Sequence, residues 1–163
     1  MDDTELIELS FRPLIRLPCW RANRWHGSMF RMHFGDPHLV VREPTARLRT
    51  RLVVPEGEWH LSIELCGWRI FREAQQLAHS ESSQNEMDRA VAYLDGQSLT
   101  DVPSLHDEGY WQFSFDLGGT LTILPYEDFQ ADEEQWLLYQ PDEWIIVSDA
   151  NGNVRRVHKD SRV

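Results

Sequence analysis

Phe30-Arg31-Met32-His33-Phe34-Gly35-Asp36-Pro37-His38-Leu39-Val40-Val41 is the stretch on which the fold turns. Phe30, Met32 and Phe34 alternate with Arg31 and His33, the two-residue period of a strand with one buried face. Gly35-Asp36-Pro37 has turn chemistry, so Leu39–Val41 reads as the returning strand of a hairpin. The same order recurs at Phe113-Ser114-Phe115-Asp116-Leu117-Gly118-Gly119-Thr120-Leu121-Thr122-Ile123. Each stretch is followed by a proline, Pro44 or Pro125, and then by two tryptophans. Phe34 and Leu117 lie 83 residues apart, Trp59 and Trp136 77, and Trp68 and Trp144 76. This near-constant offset predicts duplicated antiparallel β units, about 28–72 and 110–154, in a single domain spanning 1–163. Chance likeness between two ordinary hairpins is the competing reading.

Outward from these units the β signal continues. Trp59, Leu61, Ile63 and Leu65 alternate with His60, Ser62, Glu64 and Cys66 until Gly67 breaks the run as a bulge or turn. Glu8–Phe11 and Leu14–Trp20 read as edge strands, the second tolerating Pro18 for that reason. Pro44–Arg49 reads as a basic loop and Arg51–Val54 as a short strand. Trp136–Tyr139, Trp144–Val147 and Val154–His158 read as the last three strands, with an Asn151-Gly152 turn before the final one. One helix stands out near residues 84–95, between the halves. Ser83 and Glu86 have capping-box spacing, Met87, Ala90, Val91 and Leu94 line one face, and Gly96 supplies the stop. The expectation is a mainly β (α+β) protein of roughly ten strands and one helix, forming a sandwich or a twisted sheet.

A chain of 163 residues with 41% hydrophobic content and seven tryptophans is long and apolar enough for one packed core. Met1–Glu5 lacks the basic and apolar regions of a secretory signal, and no apolar run approaches the ~20 residues of a membrane span. A soluble, cytoplasmic protein is expected. Cys19 and Cys66 make no disulfide framework and read as buried thiols, with no ligand spacing for zinc.

The net charge of −11 is unevenly spread. Residues 1–75 hold 11 arginines against ten acidic residues, whereas residues 76–163 hold five basic against 17 acidic ones. Such a field repels nucleic acid and anionic membranes and attracts basic partners, unless the halves neutralise each other. Glu127, Asp128, Phe129, Asp132, Glu133 and Glu134, extended by Asp142 and Glu143, hold seven carboxylates and no cation. With Tyr126 and Trp136 nearby they form a candidate surface for a basic protein partner, carboxylates steering and aromatics anchoring. The plainer reading is a solvated loop. An EF-hand is excluded by spacing.

His33 and His60 lie on the polar faces of their strands with Glu64 beyond His60, which raises a general acid–base pair or a metal site. Surface or hydrogen-bonded histidines are the commoner outcome. Arg42, Arg47, Arg49 and Arg51 form an arginine cluster whose default is internal pairing. No nucleophile elbow, Walker pattern or Gly-x-Gly-x-x-Gly occurs, and no cofactor, metal or catalytic residue is assigned. Six of the seven tryptophans sit at strand starts or inside alternating runs, so core packing is a stronger reading than carbohydrate or ligand stacking.

Several landmarks resemble an uncharacterised family of small bacterial proteins. They include Leu17-Pro18-Cys19-Trp20, His26-Gly27-Ser28, His33-Phe34-Gly35, Gly57-Glu58-Trp59-His60-Leu61, Cys66-Gly67-Trp68, Leu94-Asp95-Gly96-Gln97, Phe115-Asp116-Leu117-Gly118-Gly119 and Trp136-Leu137-Leu138. Some small acidic proteins of this general kind are similar to immunity proteins, which neutralise secreted toxins. The resemblance carries no catalytic residue. The acidic second half and the Glu127–Glu143 surface lead to the expectation of a non-enzymatic protein-binding module, an immunity-type inhibitor of a basic toxin or nuclease. A self-associating structural or accessory protein is the alternative, and a metal-binding hydrolase using His33, His60 and Glu64 a third.

Overall fold

The computed structural model of the protein describes residues 1–162. Among the described residues eleven strands form two antiparallel sheets. The chain opens with helix α1 (Asp3–Phe11), a single 3-10 turn (Arg12–Leu14) and then β1 (Trp20–His26), β2 (Met29–Arg42) and β3 (Leu52–Ile63). It continues as β4 (Gly67–Arg72), β5 (Gln75–His79), α2 (Gln84–Leu94), β6 (Ser104–Leu105), β7 (Trp111–Ser114) and β8 (Gly119–Leu124). The last strands are β9 (Glu134–Tyr139), β10 (Trp144–Asp149) and β11 (Val154–His158). One sheet has the order β1-β2-β3-β9-β10-β11 and the other β5-β4-β8-β7-β6. Each half of the chain therefore supplies strands to both sheets, and the halves meet at β3–β9 in one and β4–β8 in the other. A mainly β, α+β sandwich is the result.

Inward-facing residues of the two sheets make the core. Phe30, Met32, Phe34, Leu61, Ile63, Trp136, Leu138 and Ile146 face Trp68, Ile70, Phe113, Leu121 and Ile123, all essentially inaccessible. Edge-to-face ring contacts knit them together, Trp136 meeting Trp111 at 5.2 Å and Trp68 meeting Phe30 at 5.3 Å. Both helices close open sides of the sandwich. Met87, Ala90, Val91 and Leu94 of α2 are buried where the edge strands β1 and β5 would leave a gap. α1 lies against β11, and its Phe11 reaches Phe113 and Trp136.

Several local expectations change. Glu8–Phe11 belongs to a helix, not an edge strand, because Asp2 and Glu5 close a reciprocal capping box and Ile7, Ser10 and Phe11 form its buried face. Leu14–Trp20 is likewise no strand: the 3-10 turn and one isolated bridge, Pro18–Ser98, occupy it. Gly35-Asp36-Pro37 is a bulge rather than a turn. β2 runs through it for 14 residues, and Leu39–Val41 pair with Val53–Pro55 of β3, not with residues 30–34. Gly35 takes a positive φ of 80° there, and Gly57 packs so closely beneath it that an added Cβ would lie 2.5 Å from the Phe34 carbonyl oxygen. In the second unit Gly118 does turn the chain, and β7 pairs with β8 as expected. Arg51–Val54 is no separate strand but the start of β3. The distal parts of β2 and β3 consequently project as a two-stranded arm beyond the sheet, with Leu39, Val41 and Val53 more than half exposed. The helix at Ser83–Leu94 forms as read, Ser83 Oγ accepting the Glu86 N–H, although the Glu86 carboxylate meets the Ser83 hydroxyl instead of its backbone.

Candidate functional site

The acidic segment is the second of two crossovers between the sheets. The first, Glu64–Cys66, carries the chain from β3 to β4, and the second, residues 125–133, returns it from β8 to β9. They run side by side: the N–H groups of Glu64 and Leu65 donate to the carbonyls of Gln135 and Glu134 at 2.8 and 3.1 Å. This stitching places the acidic segment next to Leu65 and the end of β1. A groove of about 430 Å³ follows, lined by Trp25, Met29, Glu64, Leu65, Asp132, Glu133 and Glu134. Trp25 is 49% and Leu65 43% exposed, so the carboxylates border apolar surface. On the other flank Tyr126, Glu127 and Asp128 line a second cleft of about 450 Å³ with Trp68, Arg69 and His79.

The eight residues singled out in the sequence divide into two sets. Glu134 is held by Arg162 through two hydrogen bonds of 2.6 and 2.7 Å and by Arg155 at 3.1 Å. The Arg162 hydrogen bond keeps its carboxyl below the usual carboxylate range. Asp142 pairs with Arg156 at 3.3 Å, and Glu143 with Lys159 at 2.5 Å. Those three are neutralised by cations of β11 and the turn after it. Glu127, Asp128, Asp132 and Glu133 have no ion pair among the described residues, and Phe129 is 37% exposed beside them. One oxygen of Glu133 is also shielded from solvent without a hydrogen-bond partner. The segment thus keeps four free carboxylates on two clefts.

His33 and His60 do come together, their ring centroids 5.4 Å apart, but not with Glu64. They belong to a ladder across four strands on the outer face of the six-stranded sheet. Trp20 stacks on His33 at 5.0 Å and His60 on Tyr139 at 4.1 Å. His33 Nδ1 accepts the Gly57 N–H at 3.1 Å, while Glu64 accepts from the Ser62 hydroxyl at 3.0 Å. Burial is the main cause lowering both imidazoles, to about 4 for His33 and about 3 for His60, with nearby Arg31 adding to it. Both rings are neutral at pH 7. Among the described residues no group of three or more His, Cys, Asp or Glu side chains is placed to hold a metal ion.

Cys19 and Cys66 are buried free thiols. Burial raises Cys19 to about 11 and Cys66 further, which leaves neither a nucleophile at neutral pH. Of the tryptophans, Trp68, Trp111 and Trp136 are buried, while Trp25, which lies outside the strands expected from the sequence, is exposed. Its place at the end of β1, between polar neighbours, was the available signal. The arginine cluster lies on the projecting arm: Arg42 meets Glu56 and Arg51 meets Glu43, whereas Arg47 and Arg49 have no ion pair among the described residues. No described helix is long and apolar enough to cross a membrane. Comparison with family models, curated proteins and solved structures returns no match.

Proposed function

We propose that the chain is a non-enzymatic, acidic protein-binding module, an immunity-type inhibitor that receives a basic toxin or nuclease domain. One observation carries the reading: the unpaired carboxylates Asp132 and Glu133 border a groove walled by exposed Trp25 and Leu65, with Glu127 and Asp128 unpaired on a second cleft. Free carboxylates beside an exposed indole combine electrostatic steering with an apolar anchor. The shielded, unpartnered oxygen of Glu133 favours an incoming donor from lysine or arginine. Glu134, Asp142 and Glu143 serve the fold in this reading, so the docking face contracts to Glu127, Asp128, Phe129, Asp132 and Glu133.

The test is affinity capture from the native extract, followed by binding kinetics with the captured protein. The variant Glu127→Gln/Asp128→Asn/Asp132→Asn/Glu133→Gln should keep the fold and lower the association rate about 10-fold or more at low salt. Retention of the same partner at an unchanged rate would remove the proposal.

Self-association is the second reading, favoured by the arm. Leu39, Val41 and Val53 expose an apolar strip on an arm tipped by Arg47 and Arg49, chemistry that fits the acidic groove of another copy. Sedimentation at low salt separates the two readings, a monomer removing this one.

A further inference from the structure

A third cleft, on the outer face of the six-stranded sheet, has the opposite character. It measures about 240 Å³ and is lined by Arg21, Asn23, Trp25, Arg31, His33 and Arg42, with Val54 and Glu56 on its far wall. Three guanidinium groups from β1 and β2 face a single carboxylate, and that carboxylate, Glu56, is taken by Arg42 at 3.3 Å. Arg21 donates to the Pro55 carbonyl and has no ion pair among the described residues. Arg31 is more telling. Among the described residues only two arginines are half-buried, Arg24 and Arg31. Arg24 meets Asp88 at 2.8 Å, whereas Arg31 meets no carboxylate among the described residues, and its Nε is shielded from water with no hydrogen-bond partner. Its guanidinium is held 5.0 Å from the centre of the Trp25 ring. In a protein of net charge −11, leaving a half-buried guanidinium unmatched is costly unless something fills the space beside it.

We propose that this cleft binds a phosphate-type oxyanion, free or as the ester of a small molecule, through Arg21 and Arg31 with Arg42 at its rim. A tetrahedral oxyanion presents acceptors in several directions, which suits guanidinium groups arriving from different strands, while a carboxylate satisfies one fork. The volume is below the ~300 Å³ of pockets that enclose drug-sized ligands, so it takes one anionic group and not a whole nucleotide. Positive potential is already felt there, since Arg21 and Arg31 help to keep His33 neutral. This site shares Trp25 with the acidic groove but needs no protein partner, and the isolated protein tests it.

The experiment is an NMR titration at fixed ionic strength, chloride being exchanged for inorganic phosphate, glycerol phosphate or acetate. The readouts are the Arg31 Nε–H and Trp25 indole N–H signals. Saturable shifts of both with inorganic phosphate or glycerol phosphate are expected, the stronger arm telling the free ion from the ester. Arg31→Lys, which keeps the charge and loses the fork, and Arg21→Gln, at an exposed position, should each weaken binding about tenfold or more. Non-saturating shifts shared with Arg47 and Arg49 would overturn the site. So would unchanged affinity in both variants, or acetate binding as tightly as phosphate.

Discussion

His33 and His60 sit in a stack that leaves little room for charge. Trp20 and Tyr139 cover their outer faces, and Arg31 lies beside them. Their folded values, about 4 and about 3, are below the ordinary histidine value of 6.5, so the unfolded chain binds protons first as pH falls. Stability from these rings is complete above about pH 6.5 and is lost progressively between there and about pH 3–4. By pH 5 the loss should be on the order of 1 kcal/mol per ring, seen as a falling denaturation midpoint between pH 7 and pH 5. His60→Phe keeps the stack without the titration and should flatten that slope; an unchanged slope would place the acid sensitivity elsewhere. Glycine at position 57 is a separate constraint. Its Cβ position is occupied by backbone atoms of Phe34 and Trp59, which cannot rotate aside. Gly57→Ala should cost about 1–3 kcal/mol in chemical denaturation, with the His33 hydrogen bond disturbed as well.

At the scale of elements, the strands of the second half were the most legible. Alternation placed β7 and β8, short apolar runs placed β9 and β10, and glycine- or asparagine-bearing turns marked the β7–β8 and β10–β11 connections. α1 was hidden for a physical reason. Its nine residues leave Leu9 63% exposed, so the apolar pattern is blurred, and the signal lay instead in the Asp2/Glu5 cap. Asp2→Ala should therefore cost about 1 kcal/mol, read as an earlier thermal midpoint. Gly35-Asp36-Pro37 misled because a bulge and a turn draw on the same residues, and only the pairing partner tells them apart. The ion pairs of Glu134, Asp142 and Glu143 depend on register, since β11 returns Arg155, Arg156 and Lys159 alongside β9 and β10. Glu134→Gln should thus destabilise by about 1 kcal/mol while Asp132→Asn leaves the midpoint unchanged, a contrast that thermal denaturation checks directly. The arm of β2 and β3 pairs only with itself at its tip. Brief trypsin treatment should cut first at Arg47, Arg49 or Arg51 and leave the two pieces associated; early cuts in the sheets would contradict that.

For the whole molecule, the uneven charge seen along the chain is only partly an uneven surface. β11 and its following turn bring cations back onto Glu134, Asp142 and Glu143, so of the carboxylates between Glu127 and Glu143 those left without an ion pair are Glu127, Asp128, Asp132 and Glu133. Composition could announce the imbalance but not its location, because neutralisation is decided by which strands are neighbours. The same neighbour relations bear on how the protein is made. β3 and β4 leave the ribosome with one edge each waiting for β9 and β8, whose residues are synthesised roughly 50–80 positions later. At about 5–20 residues per second the nascent chain spends several seconds with aromatic strands uncovered, an interval in which a chaperone has something to hold.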